Sequence, residues 1–410
     1  MNIHGLFDVV RQNVVSILPA TERIVAHLDD TVIRKRGRKI PGTSWKRDPL
    51  GPAFHTNFIW AQRFIQISLA VPQEQKGCCQ ARAIPIDFHH SPSIKKPKSS
   101  ATEEEIQQFK EQRFLAKLSQ QGSNRIELLR KKLNEDGCKN KMLCLSVDGS
   151  YTNHTVLKQL PSNTTLIGRI RKDTRLYLLP ESQPQKGRKK IYGQQLPTPE
   201  QIRKSSNFEY KSIKAWAAGK IHDFKIKIIE NVRWRSAGQH HTLQLIIISP
   251  LGYRLTKSSK ILYRAPAYLI CTDTNLQIEV LLQEYLWRWD IEVNFRDEKT
   301  LLGCGQAQVR NPESAQNAPA FSVAMYAFLH LSALLANKVR DQSMLPRALW
   351  DPPKKQQRLS TMELVNMFRL QTWTQNLKTN FLGFMQKQHE SRSHRNCVDP
   401  LLAATLYTRK

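Results

Sequence analysis

The spacing of apolar residues early in the chain predicts a helix followed by three strands. Residues 1–20 repeat apolar side chains at helical spacing, and the β-branched run Arg23–Leu28 predicts a strand that leads into a pair of aspartates. Two further runs of β-branched and aromatic residues, Phe54–Trp60 and Phe64–Val71, predict a hairpin beside that strand. The chain is therefore expected to begin with a helix and a β-β-β unit.

The middle of the chain alternates between helical and strand patterns. Proline, serine and lysine dominate Pro85–Ser100, which predicts a loop, and Thr102–Asn134 carries two helical patterns. The continuous apolar run Lys141–Val147 is typical of a strand buried on both faces, and it ends at Asp148. A short helix is then expected before a further strand, Thr164–Arg169.

The second half of the chain begins with a β-rich segment and continues into helices. Alternating strands over residues 172–262 are separated by proline, glycine and basic loops. Leu262–Cys271 predicts a returning strand. Thr272 or Asp273 is positioned to cap a long helix over Asn275–Leu302.

The charge balance favours a polyanionic partner. Lysine and arginine total 63 against 34 acidic residues among 410, which gives a formal net charge of +29. Such an excess repels itself unless it meets a polyanion, so nucleic acid is the first partner that the composition indicates. The seven cysteines are scattered without a C-x-x-C pair, which indicates neither a disulfide framework nor a zinc site.

Two apolar segments bear on the expected location of the protein. The N-terminal segment lacks the charged and long apolar regions of a secretion signal, which predicts an intracellular protein. Ala318–Ala336 is nearly long enough to cross a bilayer, but its His330 and serines favour a buried core helix. A cytoplasmic protein without a membrane partner is expected.

One face of the predicted long helix collects four polar residues. At 100° per residue, offsets of 0, 3, 7 and 14 fall within an arc of about 60°. Apolar residues on both sides of this arc predict packing along both flanks. A carboxylate, two cations and a phenol suit a phosphodiester and a divalent cation, whereas the ordinary alternative is an exposed salt-bridge face. The four residues are Tyr285, Arg288, Glu292 and Lys299.

This Y-x2-R-x3-E-x6-K spacing resembles DDE transposases of bacterial insertion sequences, in the group typified by insertion sequence 4 and its 701-type relatives. In that family the first aspartate lies on the first strand of an RNase H-like sheet and the second follows the fourth strand. The glutamate lies on a helix beyond a β-rich insertion. The resembling segments span about two-thirds of the chain, and they are Leu28–Gly37, Leu145–Asn153, Thr165–Asp173 and Tyr285–Gly303.

The resemblance implies an α/β fold with an RNase H-like mixed-sheet core, flanked by helices and interrupted by a β-rich insertion. The family usually carries a helical end-binding domain before its first aspartate. Because 29 residues precede Asp30 here, we expect either a missing N-terminal segment or end recognition elsewhere in the chain. The implied divisions are 1–171 for the first part of the core with a helical excursion at 102–136, 172–262 for the insertion, 263–343 for the rest of the core, and 344–410 for a basic helical tail.

The resemblance also implies that Asp30, Asp148 and Glu292 form the catalytic metal-binding triad. Mg²⁺ and Mn²⁺ prefer carboxylate oxygens, and two such ions can serve both the attacking and the leaving oxygen of a phosphodiester. Two divalent cations are therefore the expected cofactors.

The other residues of the motif are expected to bind DNA. Tyr285, Arg288 and Lys299 would contact phosphates near the cleaved end. The β-rich insertion is expected to cover the DNA end, with Trp234 available to an unstacked base.

Two alternatives to the triad follow from the residues themselves. Adjacent strand residues point to opposite faces, so only one of Asp29 and Asp30 is expected to face the metal. The family pattern of aspartate followed by threonine selects Asp30 and leaves Asp29 as the fallback. A rival triad of Asp148, Asp273 and Glu292 fits the topology less well, because Asp148 precedes a helix rather than a hairpin.

The implied activity is cut-and-paste DNA transposition by a dimer in a synaptic complex. A phosphodiester is hydrolysed at each transposon 3′ end, and the freed 3′-OH attacks target DNA, with a hairpin intermediate as one route. A bacterial, nucleoid-associated location follows from the same resemblance. Two other functions use the same residues: an RNase H-like nuclease that cuts without joining, and an inactive DNA-binding remnant of a mobile element.

Overall fold

The computed structural model describes residues 3–337 and 358–369, apart from residues 22, 49, 53, 76, 77, 182–186, 239, 240 and 257. Its helices are α1 (Ile3–Ile17), α2 (Glu103–Leu115), α3 (Leu118–Leu133), α4 (His154–Lys158), α5 (Pro199–Lys204), α6 (Ile278–Trp287), α7 (Trp289–Thr300) and α8 (Pro312–Asn337). A π-helical turn, Asn134–Cys138, follows α3, and residues 361–369 are helical. Its strands are β1 (Arg23–Arg34), β2 (Ser44–Arg47), β3 (Phe58–Gln75), β4 (Cys78–His90), β5 (Met142–Val147), β6 (Thr164–Arg169), β7 (Tyr177–Leu178), β8 (Lys211–Ala217), β9 (Lys220–Arg233), β10 (Leu243–Ile248), β11 (Gly252–Tyr253), β12 (Leu262–Tyr263) and β13 (Ala267–Cys271).

A mixed sheet of eleven strands runs through the described residues. Its order is β2-β3-β1-β5-β6-β13-β10-β9-β7, with β4 paired to β3 and β8 paired to β9. β1 pairs in parallel with β5, and β5 pairs in parallel with β6. The pairings of β1 with β3 and of β6 with β13 are antiparallel. The α/β fold with a mixed sheet flanked by helices, expected from the sequence, is confirmed.

Apolar side chains cover both faces of the central strands. β10 sends Leu245 and Ile247 into one buried cluster and Ile246 into another on the opposite face. Residues of α1 and α3 pack into the first cluster, and Leu281 and Leu282 of α6 pack into the second. Strands that are covered by helices on both faces need continuous apolar sequences, which explains the unbroken runs in β5 and β10.

The strands before residue 100 pair differently from the sequence prediction. Phe54–Trp60 and Phe64–Val71 do not form a hairpin, because β3 is continuous from Phe58 and its hairpin partner is β4. The predicted loop from Pro85 is wrong as far as His90, since Pro85 lies within β4. The register shifts at this point, and a bulge on a strand with one partner tolerates a residue without an N–H.

The β-rich segment over residues 172–262 extends the main sheet. β10, β9 and β7 continue the sheet beyond β13, and β8 pairs with β9. Trp234 packs against the first apolar cluster and is partly buried. The division of the chain into a core and an insertion stays a prediction, because these strands share the sheet of the core.

α8 is the one helix among the described residues with the length and composition to cross a membrane. It packs against β4 and α1, and its Val323, Tyr326 and His330 are buried. Core helices of soluble proteins meet the same criteria, so α8 is weak evidence for a membrane span. Its contacts support the interpretation as a core helix.

Most of the predicted basic tail, residues 344–410, lies outside the described residues. Residues 358–369 are described, and Arg358 among them donates to the Ala81 carbonyl of β4 and to Asp290 of α7. This part of the tail is therefore held against the sheet and α7.

Gly122 of α3 lies against Tyr151, which directly follows the β5 turn. An added Cβ at Gly122 would come within 2.6 Å of the Tyr151 ring, and that ring is fully buried. We expect Gly122→Ala to lower the free energy of unfolding by about 1–3 kcal/mol, since overpacking outweighs the roughly 1 kcal/mol that alanine adds to a helix. Urea denaturation measures the change. Gly149→Ala is the control, because its Cβ would meet its nearest atom at 3.6 Å, and equal losses would contradict the clash.

Candidate active site

Asp148 lies at the edge of the sheet that is formed by the carboxyl ends of its parallel strands, where β5 ends beside β1. These parallel strands pair through Leu28 and Val147, so the residues that follow, Asp29 and Asp148, are neighbours at the same edge. The chain turns at once after β5, and the Ser150 N–H donates to Asp148 Oδ1 at 2.9 Å. Asp148 therefore occupies the carboxyl end of a buried strand, a position that suits a ligand.

The two aspartates of β1 point to opposite faces of the sheet. On one face, Asp29 Oδ2 accepts a hydrogen bond from Arg288 Nη1 at 3.0 Å. On the other face, Asp30 Oδ1 accepts from the Tyr151 hydroxyl at 3.3 Å, and Asp30 Oδ2 lies 3.4 Å from Arg63 Nε. Asp29, rather than the predicted Asp30, thus shares a face with the helix that carries Glu292.

Arg288 connects the first strand to the glutamate. Its Nη2 donates to Glu292 Oε1 at 2.9 Å while its Nη1 binds Asp29. Arg288 and Asp29 are both largely buried. The guanidinium thus places positive charge between the buried carboxylate of Asp29 and the partly exposed carboxylate of Glu292.

Burial and crowding perturb both aspartates of β1. Burial and the nearby charge of Asp148 raise the pKa of Asp29 to about 7, although Arg288 opposes the shift. Burial also raises the pKa of Asp30, while Arg63 opposes that shift. A cation brought to these carboxylates would favour their charged forms, so the edge of the sheet is electrostatically prepared for one.

The predicted long helix consists of α6 and α7, which meet at Arg288. The Arg288 N–H bonds to the Tyr285 carbonyl at 3.1 Å, three residues back, so the α-helical hydrogen-bond ladder is interrupted there. Arg288 keeps helical dihedrals, φ −53° and ψ −32°, and the two helices follow one another. Leu286, Trp289 and Val293 form one of the two flanks that were expected to pack. Trp289 is 58% exposed, so the expectation is wrong at that residue, whereas Leu286 packs against the second apolar cluster.

Asp273 and Thr272 do not cap this helical pair, contrary to the sequence prediction. α6 begins at Ile278, and its N-cap residue makes no side-chain capping bond. Asp273 Oδ1 accepts from the Asn275 N–H at 2.9 Å, and the Thr272 hydroxyl accepts from the Leu166 N–H at 2.9 Å. Both side chains bond to nearby turn and strand backbone instead.

The other basic and aromatic residues of the motif also lie near β1 or Arg288. Lys299 Nζ donates to the Thr31 hydroxyl at 2.6 Å. Thr31 and Asp29 are two residues apart on one strand, so Lys299 and Arg288 contact the same face. The Arg288 Cζ lies 5.9 Å from the centre of the Tyr285 ring. The structure therefore brings Tyr285, Arg288 and Lys299 to one side of the sheet.

The donors at this edge suit a hard divalent cation in their chemistry. Asp29, Asp148 and Glu292 offer the carboxylate oxygens that Mg²⁺ and Mn²⁺ prefer. Within the described part of the chain, no three acidic, histidine or cysteine side chains lie close enough together to hold a metal ion as they stand. Since Arg288 stands between Asp29 and Glu292, gathering these acids around one cation requires the guanidinium to move aside.

The cations beside Asp30 were missed by sequence reasoning. Arg63 reaches Asp30 because β3 pairs with β1 so that Ile65 lies opposite Asp30. Burial and Arg63 lower the pKa of Lys46 to about 8, while Asp30 opposes this shift. No local sequence signal links these residues, whereas Tyr151 lay within a segment that carries the family resemblance.

A buried acid, Glu298, lies on the same side of the sheet as Asp29. Gln66 pairs with Asp29 across the strands, and its side-chain amide donates to Glu298 Oε1 at 3.2 Å in the orientation that satisfies both ends of the amide. Burial raises the pKa of Glu298 to about 8. This acid therefore holds its proton at neutral pH.

The strands that carry the three aspartates lie within a region that matches a known protein family. A family model described as DDE superfamily endonuclease matches residues 6–239, more than half of the chain. The matched residues include Asp29, Asp30 and Asp148 and end before Glu292. No curated protein matches the chain in sequence.

Protonation of Glu298 predicts pH-dependent stability. Its pKa is about 8 in the fold against an ordinary value of 4.5, so the folded state holds the proton longer and this contribution to stability falls as the pH rises between those values. We expect the free energy of unfolding of Glu298→Gln, relative to that of the wild type, to rise by on the order of 3–5 kcal/mol as the pH increases from 5 to 9. Urea denaturation across that range measures the gain. Glu279→Gln, at an exposed acid of α6, is the control, and parallel pH profiles in the wild type and Glu298→Gln would contradict the burial argument.

Proposed function

Because this chain belongs to the DDE superfamily endonucleases, which cleave nucleic acids, we propose that it is a metal-dependent DNA transposase. The proposed reaction is hydrolysis at each transposon 3′ end, followed by attack of the freed 3′-OH on target DNA. The observation that carries the proposal is the Arg288 bridge between Asp29 and Glu292 beside Asp148. It links the glutamate that lies beyond the family match to the strand that lies within it.

The proposed metal ligands are Asp148, Glu292 and one aspartate of β1. Two divalent cations, Mg²⁺ or Mn²⁺, would activate the attacking oxygen and stabilise the leaving oxygen when bound. The geometry favours Asp29 as the third ligand, because Asp29 and Glu292 share Arg288. Asp30, which the family pattern selects, is the competing proposal.

The residues around these acids would hold the DNA backbone. Arg288 presents a planar fork that suits a phosphate. Lys299 adds a second positive charge, because it contacts Thr31, which lies two residues beyond Asp29 on the same face of β1. Tyr285 lies beside the guanidinium and would position it. A phosphate that draws Arg288 towards itself would also free Asp29 and Glu292, which couples DNA binding to the assembly of the acidic site.

The remaining features are proposed on the family resemblance. A homodimer would hold two transposon ends in a synaptic complex, and a hairpin intermediate is one route for the cleavage. The protein would act in the bacterial cytoplasm at the nucleoid. The positive charge of the chain supports the DNA partner, since phosphate contacts release counterions.

Metal binding distinguishes the two candidate aspartates. We expect Asp148→Asn and Asp29→Asn each to lower Mn²⁺ affinity about tenfold or more, since each removes a charged oxygen ligand, and Asp30→Asn to lower it less than about threefold. Isothermal titration calorimetry with Mn²⁺ measures these affinities. The reverse order for Asp29→Asn and Asp30→Asn would make Asp30 the ligand, and three unchanged affinities would exclude a metal site at this edge.

The Arg288 bridge predicts opposite effects on two ligands. We expect Arg288→Gln to weaken binding of duplex DNA and to reduce its salt slope by about one, because one phosphate contact is lost. The same change should tighten Mn²⁺ binding, because the competing cation is gone. Lys204→Gln is the control, since Lys204 belongs to an exposed salt bridge with Glu200. If Arg288→Gln binds DNA as tightly as the wild type and the Lys204→Gln control do, Arg288 has a structural role and does not contact DNA.

Joining of DNA ends to a target distinguishes a transposase from a nuclease that only cuts. Pre-cut DNA ends taken from the genomic flanks of the reading frame, incubated with a supercoiled plasmid and Mg²⁺, should yield joined products. Nicked plasmid without joined ends would indicate a nuclease that cuts only. Neither product, together with preserved DNA binding, would indicate an inactive remnant.

A further inference from the structure

The loop and strands beyond the aspartates of β1 expose an unusual concentration of large apolar side chains. Trp45 is 55% exposed, Leu50 93%, Phe54 92% and Phe58 61%. All four lie within 14 positions of the chain. Clustered apolar exposure of this kind marks an interaction surface more often than a folding requirement.

The aromatic part of this surface is fixed in place. Trp45 and Trp60 face each other across β2 and β3, with ring centres 5.6 Å apart and an interplanar angle of 76°. The Arg38 guanidinium lies 4.7 Å from the Trp45 ring and 4.9 Å from the Trp60 ring. Trp60 Nε1 also donates to the Gly37 carbonyl at 3.1 Å. We call Arg38, Trp45, Phe58 and Trp60 the aromatic tip.

The base of the aromatic tip is tied to the chain that follows α7. Lys35 is buried, and its Nζ donates to the carbonyls of Gly305 and Ala307 at 2.9 and 2.8 Å. β1 carries both Asp30 and Arg34, which lie about 13 Å apart along an extended strand. The tip is therefore held at a set distance from the candidate active site.

The charge around the tip identifies the kind of partner. Residues 34–48 contain seven lysines and arginines and one acidic residue, Asp48. An isologous contact with a second copy would bring these like charges together. Aromatic side chains among cations match the two parts of unpaired nucleic acid, which are stacking bases and phosphates. The surface thus favours DNA over a second copy of the chain.

We propose that the aromatic tip binds unpaired bases of the DNA, with Trp45 as the stacking platform and the surrounding arginines on the phosphates. This inference rests on the proposed function, since it assigns a DNA-binding surface to the same enzyme. Trp234, which the sequence suggested for this role, is packed against the core. Trp45, in contrast, is more than half exposed and lies among cations.

Binding to two DNA forms without metal tests the proposal. The probes are a fluorescein-labelled 30-base-pair duplex with blunt ends and the same duplex with five unpaired nucleotides at one end, in EDTA. We expect Trp45→Ala to weaken binding to the unpaired-end probe about tenfold and to the blunt probe less than about twofold. Trp45→Phe, which keeps a stacking ring, should recover most of the affinity. Fluorescence anisotropy measures both.

Phe114→Ala is the matched control. Phe114 is an exposed aromatic of α2 at 52%, and Lys117 lies 4.9 Å from its ring, yet it lies outside the tip. Unchanged affinity of Trp45→Ala for the unpaired-end probe, or equal loss on both probes, would overturn the proposal. A change in sedimentation without a change in DNA binding would overturn it too, in favour of a second copy as partner. The assay contains no metal, so a failure here is distinct from a failure of catalysis or of metal binding.

Discussion

Parallel pairing of β1 with β5 brings Asp29, Asp30 and Asp148 to one end of the sheet. The negative charges of these carboxylates repel one another, and the surrounding residues compensate for that repulsion. Burial of Asp29 and Asp30 disfavours their charged forms and raises the pKa of each, and the charge of Asp148 adds to the effect at both. Each aspartate of β1 has acquired a separate cation, Arg288 on one face and Arg63 on the other. Cations therefore offset the repulsion among the acids from both faces of the sheet.

The two faces are built by different parts of the chain. Arg63 comes from the neighbouring strand, so its position follows from the antiparallel register of β1 and β3. Arg288 comes from a helix more than 250 residues away, at the point where the hydrogen-bond ladder is interrupted. Arg288 joins two acids on different elements, and interruptions of helical hydrogen bonding recur at functional positions.

β1 contains the acids and also connects them to the aromatic tip. β1 extends from the buried sheet to the exposed Arg34, and β2 and β3 accompany it to Trp45 and Trp60. Residues 34–48 contain seven cations and one acidic residue, which fits a protein with a formal net charge of +29. Cationic side chains therefore lie both at the acids, where Arg288 and Lys299 contact β1, and at the tip, which includes Arg38.

The sequence by itself determined the order of the elements near the site, because apolar periodicity and strand-end aspartates are local signals: β1, β5 and β6 and the helical region of Glu292 lie where the pattern predicted them. It did not determine the partner of β3 or the role of Pro85, since strand pairing depends on contacts across the sheet. The choice between Asp29 and Asp30 also lay beyond it. Adjacent strand residues differ only in the face they occupy, and only the packing of α7 on one face decides which of them meets Glu292.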